Sequence, residues 1–110
     1  MGKMTESKET RPELKGIREQ IDDLDNQILQ LLNRRMLLVQ EISALKREAG
    51  KGPLDLGREQ AIFRRLAQGN RGPLPWGAVK SIFGEILAAS RDIQASRDTT
   101  EQQPPQSKGS

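Results

Sequence analysis

Branched aliphatic residues return at every third or fourth position from Leu14 onward: Leu14, Ile17, Ile21, Leu24, Ile28, Leu31, then Leu38, Ile42 and Leu45. The place between Leu31 and Leu38 in that series is taken by Arg35. These spacings put all the positions on one stripe of an α-helix, and a stripe sustained over so many turns marks one long helix packed against other helices. Ahead of it, Thr10-Arg11-Pro12-Glu13 reads as a capping box. Thr10 accepts from the Glu13 amide, Glu13 reaches back, and Pro12 sits in the first turn, where its missing N–H does no harm. Gly16 is the one weak helix former, at about 1 kcal/mol. Gly50, Gly52 and Pro53 end the helix at about Ala49.

Two shorter helices are expected after it. Asp55 caps one that reaches about Gln68, with Ile62, Phe63 and Leu66 facing inward. Gly69-Asn70-Arg71-Gly72-Pro73 is turn chemistry, and Pro75 opens a third helix whose Val79, Ile82, Phe83, Ile86 and Leu87 share a face. Gly84 within that helix is expected to mark a close approach to a neighbour. The apolar pattern fades by Arg97, and Gln102-Gln103-Pro104-Pro105-Gln106 has linker composition. The chain is thus read as a flexible N-terminus over residues 1–9, a helical domain over 10–97 and a disordered tail or linker over 98–110. The fold class is all-α, three helices per chain with a very long first one.

That first helix carries a consequence for assembly. About 39 residues at about 1.5 Å each make a rod of ~58 Å, whereas a compact domain of this size has a radius of gyration of ~13 Å. Two short helices cannot cover such a stripe. The remainder is expected to bury itself on a second copy across a two-fold axis, giving an intertwined homodimer.

Composition then narrows the chemistry. The chain has no cysteine and no histidine, which removes disulfides, thiol nucleophiles, imidazole bases and ordinary zinc sites. Its aromatic residues are Phe63, Trp76 and Phe83, so aliphatic packing must supply most of the stability. The formal charge is +3, but acidic and basic residues alternate instead of forming a block of one sign. With so few stacking aromatics, nucleic acid is not an expected partner. No apolar run approaches the ~20 residues of a membrane span, no signal-peptide core follows the N-terminus, and Glu6 stands where a myristoylation motif needs Ser or Thr. A cytoplasmic protein with no membrane partner is expected.

Arg35 is the residue that asks for a function. A guanidinium does not shed its proton, and burying one unpaired costs several kcal/mol or more. Arg35 therefore either interrupts a helical seam at a heavy penalty or faces a cavity that holds an anion. Lys46 follows three turns later, within about 20° of the same face and ~16 Å along the axis, so the two side chains can contact opposite ends of one small anion. Arg18 lies ~25 Å before Arg35 on the same rod and cannot reach that ligand from the same chain. In an antiparallel dimer, Arg18 of the partner subunit can be brought alongside. Asp55, Arg58 and Glu59 share a face of the second helix, and Ser90 and Gln94 a face of the third. Each has a plainer reading: Lys46 as a solvated flank, Arg58 and Glu59 as surface charge, Asp55 as a cap, Ser90 and Gln94 as an ordinary polar face. Together they describe a cation-rich pocket with neutral hydrogen-bonding groups, suited to a small dicarboxylate.

The stretches Ile17-Arg18-Glu19-Gln20-Ile21-Asp22-Asp23-Leu24-Asp25, Leu31-Leu32-Asn33-Arg34-Arg35 and Ile42-Ser43-Ala44-Leu45-Lys46 closely resemble the first helix of the all-helical class of chorismate mutase. Asp55-Leu56-Gly57-Arg58-Glu59 looks like the second-helix motif of that family, and Ser90-Arg91-Asp92-Ile93-Gln94 like its third. The resemblance covers about residues 14 to 97. It implies a unimolecular [3,3] rearrangement of chorismate to prephenate, in aromatic amino-acid biosynthesis, with no metal and no cofactor. It further implies that Arg35 and the partner subunit's Arg18 bind the two carboxylates. Lys46 and Gln94 donate to the ether oxygen of the breaking C–O bond, and Glu59 accepts from the ring hydroxyl. Asp55, Arg58 and Ser90 complete the pocket. Two alternatives stand beside it: an isochorismate-pyruvate lyase on the same fold, which shares the arginines, the lysine and the glutamine while Glu59 and the Asp55 motif favour the mutase, and a non-catalytic helical dimerisation module, against which Arg35 in the seam argues.

Overall fold

Three helices form where the spacing places them. In the computed structural model, which describes residues 11–98, α1 is Pro12–Glu48, α2 is Leu56–Gly69 and α3 is Trp76–Asp98. Residues 1–9, expected to be flexible, Thr10 of the capping box and residues 99–110 of the expected tail lie outside the described residues. None of the described helices is long and apolar enough to cross a membrane.

Both ends of α1, the start of α2 and the turn from α2 to α3 are made by local devices visible in the sequence. Pro12 opens α1 at the position where no N–H is needed, and the Lys15 amide bonds back to the Arg11 carbonyl at 2.9 Å. At the other end, Gly50 takes φ +74°, its amide donates to Arg47 O at 2.9 Å, and the Lys51 amide donates to Lys46 O at 2.7 Å. That pair of bonds is a Schellman cap, which satisfies two carbonyls the helix cannot. Asp55 caps α2 as expected, its Oδ1 accepting from the Arg58 amide at 3.0 Å. Between α2 and α3, the Asn70 side chain accepts from the Gly72 amide and donates to Leu74 O, both at 3.0 Å. Pro75 flanks α3 instead of starting it, its carbonyl accepting from the Ala78 and Val79 amides.

The chain divides into two units, residues up to Arg34 and residues from Arg35 on. In the first, Ile17, Ile21, Leu24, Ile28 and Leu31 are each at least half exposed. In the second, Val39 and Ser43 of α1, Ile62 of α2, and Val79, Leu87 and Ser90 of α3 are buried. Ser43, although polar, accepts from Arg47 Nη1 at 3.1 Å. Phe63 and Trp76 meet edge to face with centroids 6.4 Å apart, which ties the start of α3 to α2.

Three details of the packing go beyond what the periodicity specified. Of the seam residues, Leu38 and Leu45 are exposed, whereas Ile42, about half exposed, lines the cavity that α1 shares with α2 and α3. The inward positions are Val39 and Ser43, about 100° further round the helix from Leu38 and Ile42, because two short helices can cover only one side of the rod. Ile82 likewise lies at the edge of its face and is exposed, with Val79 and Leu87 buried and Phe83 and Ile86 half-buried. Gly84 does not mark a close approach within the chain: a Cβ added there meets no heavy atom within 4 Å.

The positive φ at Gly50 gives a direct test. Gly50→Ala forces a Cβ into the left-handed region and is expected to destabilise the fold by about 1–2 kcal/mol, read as a lowered urea midpoint with an unchanged slope.

Candidate active site

Three helical rows converge on one cavity of about 350 Å³, lined wholly by residues of the second unit. From α1 come Arg35, Val39, Ile42 and Lys46; from the start of α2, Asp55, Arg58, Glu59 and Ile62; from α3, Leu87, Ser90, Arg91 and Gln94. Spacings of three and four place each set on one face of its helix. Lys51 and Pro53 close the cavity from the turn between α1 and α2.

Arg35 is anchored by Ser90. Its Nη1 donates to Ser90 Oγ at 2.8 Å, while the hydroxyl proton is directed at the Ile86 carbonyl, also at 2.8 Å, with Met36 Sδ nearby at 3.7 Å. With its proton committed to Ile86, the buried hydroxyl presents lone pairs to the guanidinium. Among the described residues, no carboxylate forms an ion pair with Arg35. Burial, then the positive charges of Arg58 and Arg65, push the Arg35 guanidinium down from its ordinary value. The group remains a cation, held where a cation is disfavoured until an anion arrives.

The other polar groups are arranged around it. Lys46 Nζ donates to Pro53 O at 3.3 Å, so the Schellman turn that ends α1 also curls the chain under the lysine. Asp55 is occupied by the Arg58 amide, as the cap of α2. Glu59 is half-buried, and its Oε2 accepts from Arg91 Nη1 at 2.5 Å. The wall therefore holds five cations, Arg35, Lys46, Lys51, Arg58 and Arg91, against two carboxylates that both already have partners. Such a cavity favours a small polyanion.

Arg35, Lys46, Asp55, Arg58, Glu59, Ser90 and Gln94, all singled out from the sequence, line this cavity together. Arg18 does not; it belongs to the first unit. Sequence reasoning missed Arg91, Lys51 and the Pro53 carbonyl. Arg91 was within reach, because Leu87, Ser90, Arg91 and Gln94 repeat at i, i+3, i+4 and i+7 on α3. Lys51 and Pro53 lie in a turn, where helical periodicity carries no information.

Residues 17–95 match the family model described as chorismate mutase type II. The chain is 34% identical over 86 residues to the bifunctional chorismate mutase/prephenate dehydratase of Aquifex aeolicus, covering 74% of this chain and 24% of that protein. It is 39% identical over 72 residues to the enzyme of the same description from Neisseria gonorrhoeae, covering 64% of this chain and 19% of that one. The chain therefore spans a quarter or less of the length of these relatives. Among solved structures it is similar to chorismate mutase (form II) from Thermus thermophilus, with a TM-score of 0.73 and 35% identity over 76% of this chain and 94% of that one.

An unneutralised cation in the wall makes ligand binding visible in a melt. A dicarboxylate of chorismate's size, at a hundredfold its dissociation constant, is expected to stabilise the protein by about 2.7 kcal/mol. The same concentration is expected to leave the melting temperature of Arg35→Ala unchanged, and equal shifts in the two proteins would remove Arg35 from the binding site.

Proposed function

The chain belongs to the chorismate mutase type II family, and we propose that it rearranges chorismate to prephenate, an intramolecular transferase reaction that serves aromatic amino-acid synthesis. The observation that carries this reading is Arg35, half-buried in the wall of a cation-rich cavity and bonded to Ser90 but to no carboxylate among the described residues.

In the proposed mechanism the protein contributes no nucleophile and moves no proton. The C–O bond of the substrate breaks as a C–C bond forms within the same molecule, and negative charge grows on the ether oxygen on the way. Arg35, with Arg18 of the partner subunit, holds the two carboxylates, which confines a flexible substrate to its compact reactive shape. Lys46 and Gln94 donate to the ether oxygen, each such donor being typically worth ~2.7–4 kcal/mol of barrier. The 3.3 Å bond from Lys46 to Pro53 O is long, so little is lost when the ammonium turns to the substrate. Glu59 accepts from the ring hydroxyl, and Asp55, Arg58 and Ser90 shape the remaining wall. Glu59 in that wall favours the mutase over an isochorismate-pyruvate lyase, and a cation-lined cavity has no use in a simple helical scaffold.

Assembly as an intertwined homodimer is part of this proposal. Among the described residues, the buried apolar core consists of Val39, Ile62, Val79 and Leu87, whereas fourteen leucines and isoleucines are about half exposed or more. A second copy laid along the exposed stripe of α1 supplies the missing cover. The same reading places the enzyme in the cytoplasm, because a dianionic substrate does not cross a membrane unaided.

Two measurements test it. Purified protein is expected to consume chorismate and yield prephenate, and Lys46→Ala or Arg35→Ala to lower kcat/KM by at least about 100-fold while the protein stays folded. Near-normal turnover by a folded Arg35→Ala protein removes the assignment. For the dimer, Arg18→Ala and Arg35→Ala are each expected to be inactive, yet unfolding and refolding them together should restore about a quarter of wild-type activity, since half the dimers are mixed and each mixed dimer has one complete site. No recovery would show that Arg18 does not act across subunits.

A further inference from the structure

Ser90 and Arg91 are consecutive on α3, and each grips one polar side chain on another helix: Ser90 takes Arg35 of α1, and Arg91 takes Glu59 of α2. The first contact belongs to the site described above. The second has no role in the reaction as derived. As a stabilising ion pair it counts for little, since the Arg91 side chain is 35% exposed and Glu59 19%.

Its meaning comes from what surrounds Glu59. The carboxylate stands in a wall that also carries Arg35, Lys46, Lys51 and Arg58. An untethered glutamate has three rotatable side-chain bonds and shares the wall with four cations besides Arg91, so it can fold toward one of them and neutralise a charge the substrate needs. In the structure it does not: Oε2 is held by Arg91, and among the described residues Glu59 forms no ion pair with the other cations of the wall. Because the bond to Arg91 uses one oxygen, Oε1 is left to accept from a ligand hydroxyl.

We propose that Arg91 is a positioning residue, which sequesters the Glu59 carboxylate from the anion-binding cations and aims its second oxygen at the ring hydroxyl of the substrate. This rests on the mutase reading. Arg91 itself touches no reacting atom; it acts through Glu59.

The test is a double-mutant cycle on the full chain, with chorismate turnover and thermal melts measured side by side. Arg91→Gln is expected to lower kcat/KM about tenfold, the scale on which supporting partners of functional groups act. Arg91→Lys keeps the charge for what is a single contact, and is expected to stay within about threefold of wild type. Adding Arg91→Gln to Glu59→Gln should cost less than about threefold more, because the two changes disable one device. Wild-type kcat/KM in Arg91→Gln overturns the proposal, and so does a full second tenfold loss in the Glu59→Gln background. Should Arg91→Gln fail to fold, Arg91→Lys decides: a folded protein with about a tenfold loss overturns it. A wild-type protein that does not consume chorismate would instead sink the mutase reading, and this one with it.

Discussion

The bond from Arg35 to Ser90 sets a constraint that the cavity is built around. Placing a guanidinium half out of water, near Arg58 and Arg65, disfavours the charged form that the group cannot give up. One neutral hydroxyl accepts from it without cancelling its charge. A carboxylate in the place of Ser90 would have quenched the cation and closed the site to anions. Serine instead fixes the direction of the guanidinium and leaves its charge for a ligand. The two carboxylates in the same wall are occupied elsewhere, Asp55 by the Arg58 amide and Glu59 by Arg91, so the excess positive charge stays available.

The devices that end the helices also build the site. The Schellman cap at Gly50 turns the chain so that Lys51 and Pro53 join the wall and the Pro53 carbonyl meets Lys46. The cap of α2 fills two places, because Asp55 both starts the helix and lines the cavity. Three chemistry-bearing rows at helical spacing can then converge with no irregular backbone between the side chains of a row. Side chains carried on such rows are held more precisely than side chains carried on loops.

Most of this arrangement was legible because it obeys a period. Arg35 stood out as a cation in an aliphatic series, and Lys46, Glu59 and Gln94 followed from their offsets on the same faces. What was not legible was which side of α1 the chain's own helices would take. Both the seam through Leu38 and Ile42 and the line through Val39 and Ser43 are apolar enough to be buried, and periodicity alone cannot choose between neighbouring faces. Gly84 has no close neighbour within the chain, because glycine in a helix signals that a side chain is absent, not what approaches the gap. Arg91 is legible only once Leu87, Ser90 and Gln94 are taken as one face, because its partner Glu59 lies on another helix.

That choice of face links stability to catalysis. Arg35 lies at the junction of the two faces of α1, with Val39 about 40° to one side and Leu38 about 60° to the other. The α2–α3 side buries Val39 and Ser43, Ile42 lines the cavity shared with those helices, and the other side, through Leu38 and Leu45, stays open. On the proposed dimeric reading, the open side is where a second copy must lie, and the same association delivers Arg18 of the partner subunit to the cavity. On that reading, a chain with so small a core of its own would gain its remaining apolar cover in the step that completes its active site, and folding and activity would share one dependence on protein concentration. A site assembled that way has no partly active monomer to regulate. On the dimeric reading it would be complete only while the subunits are together.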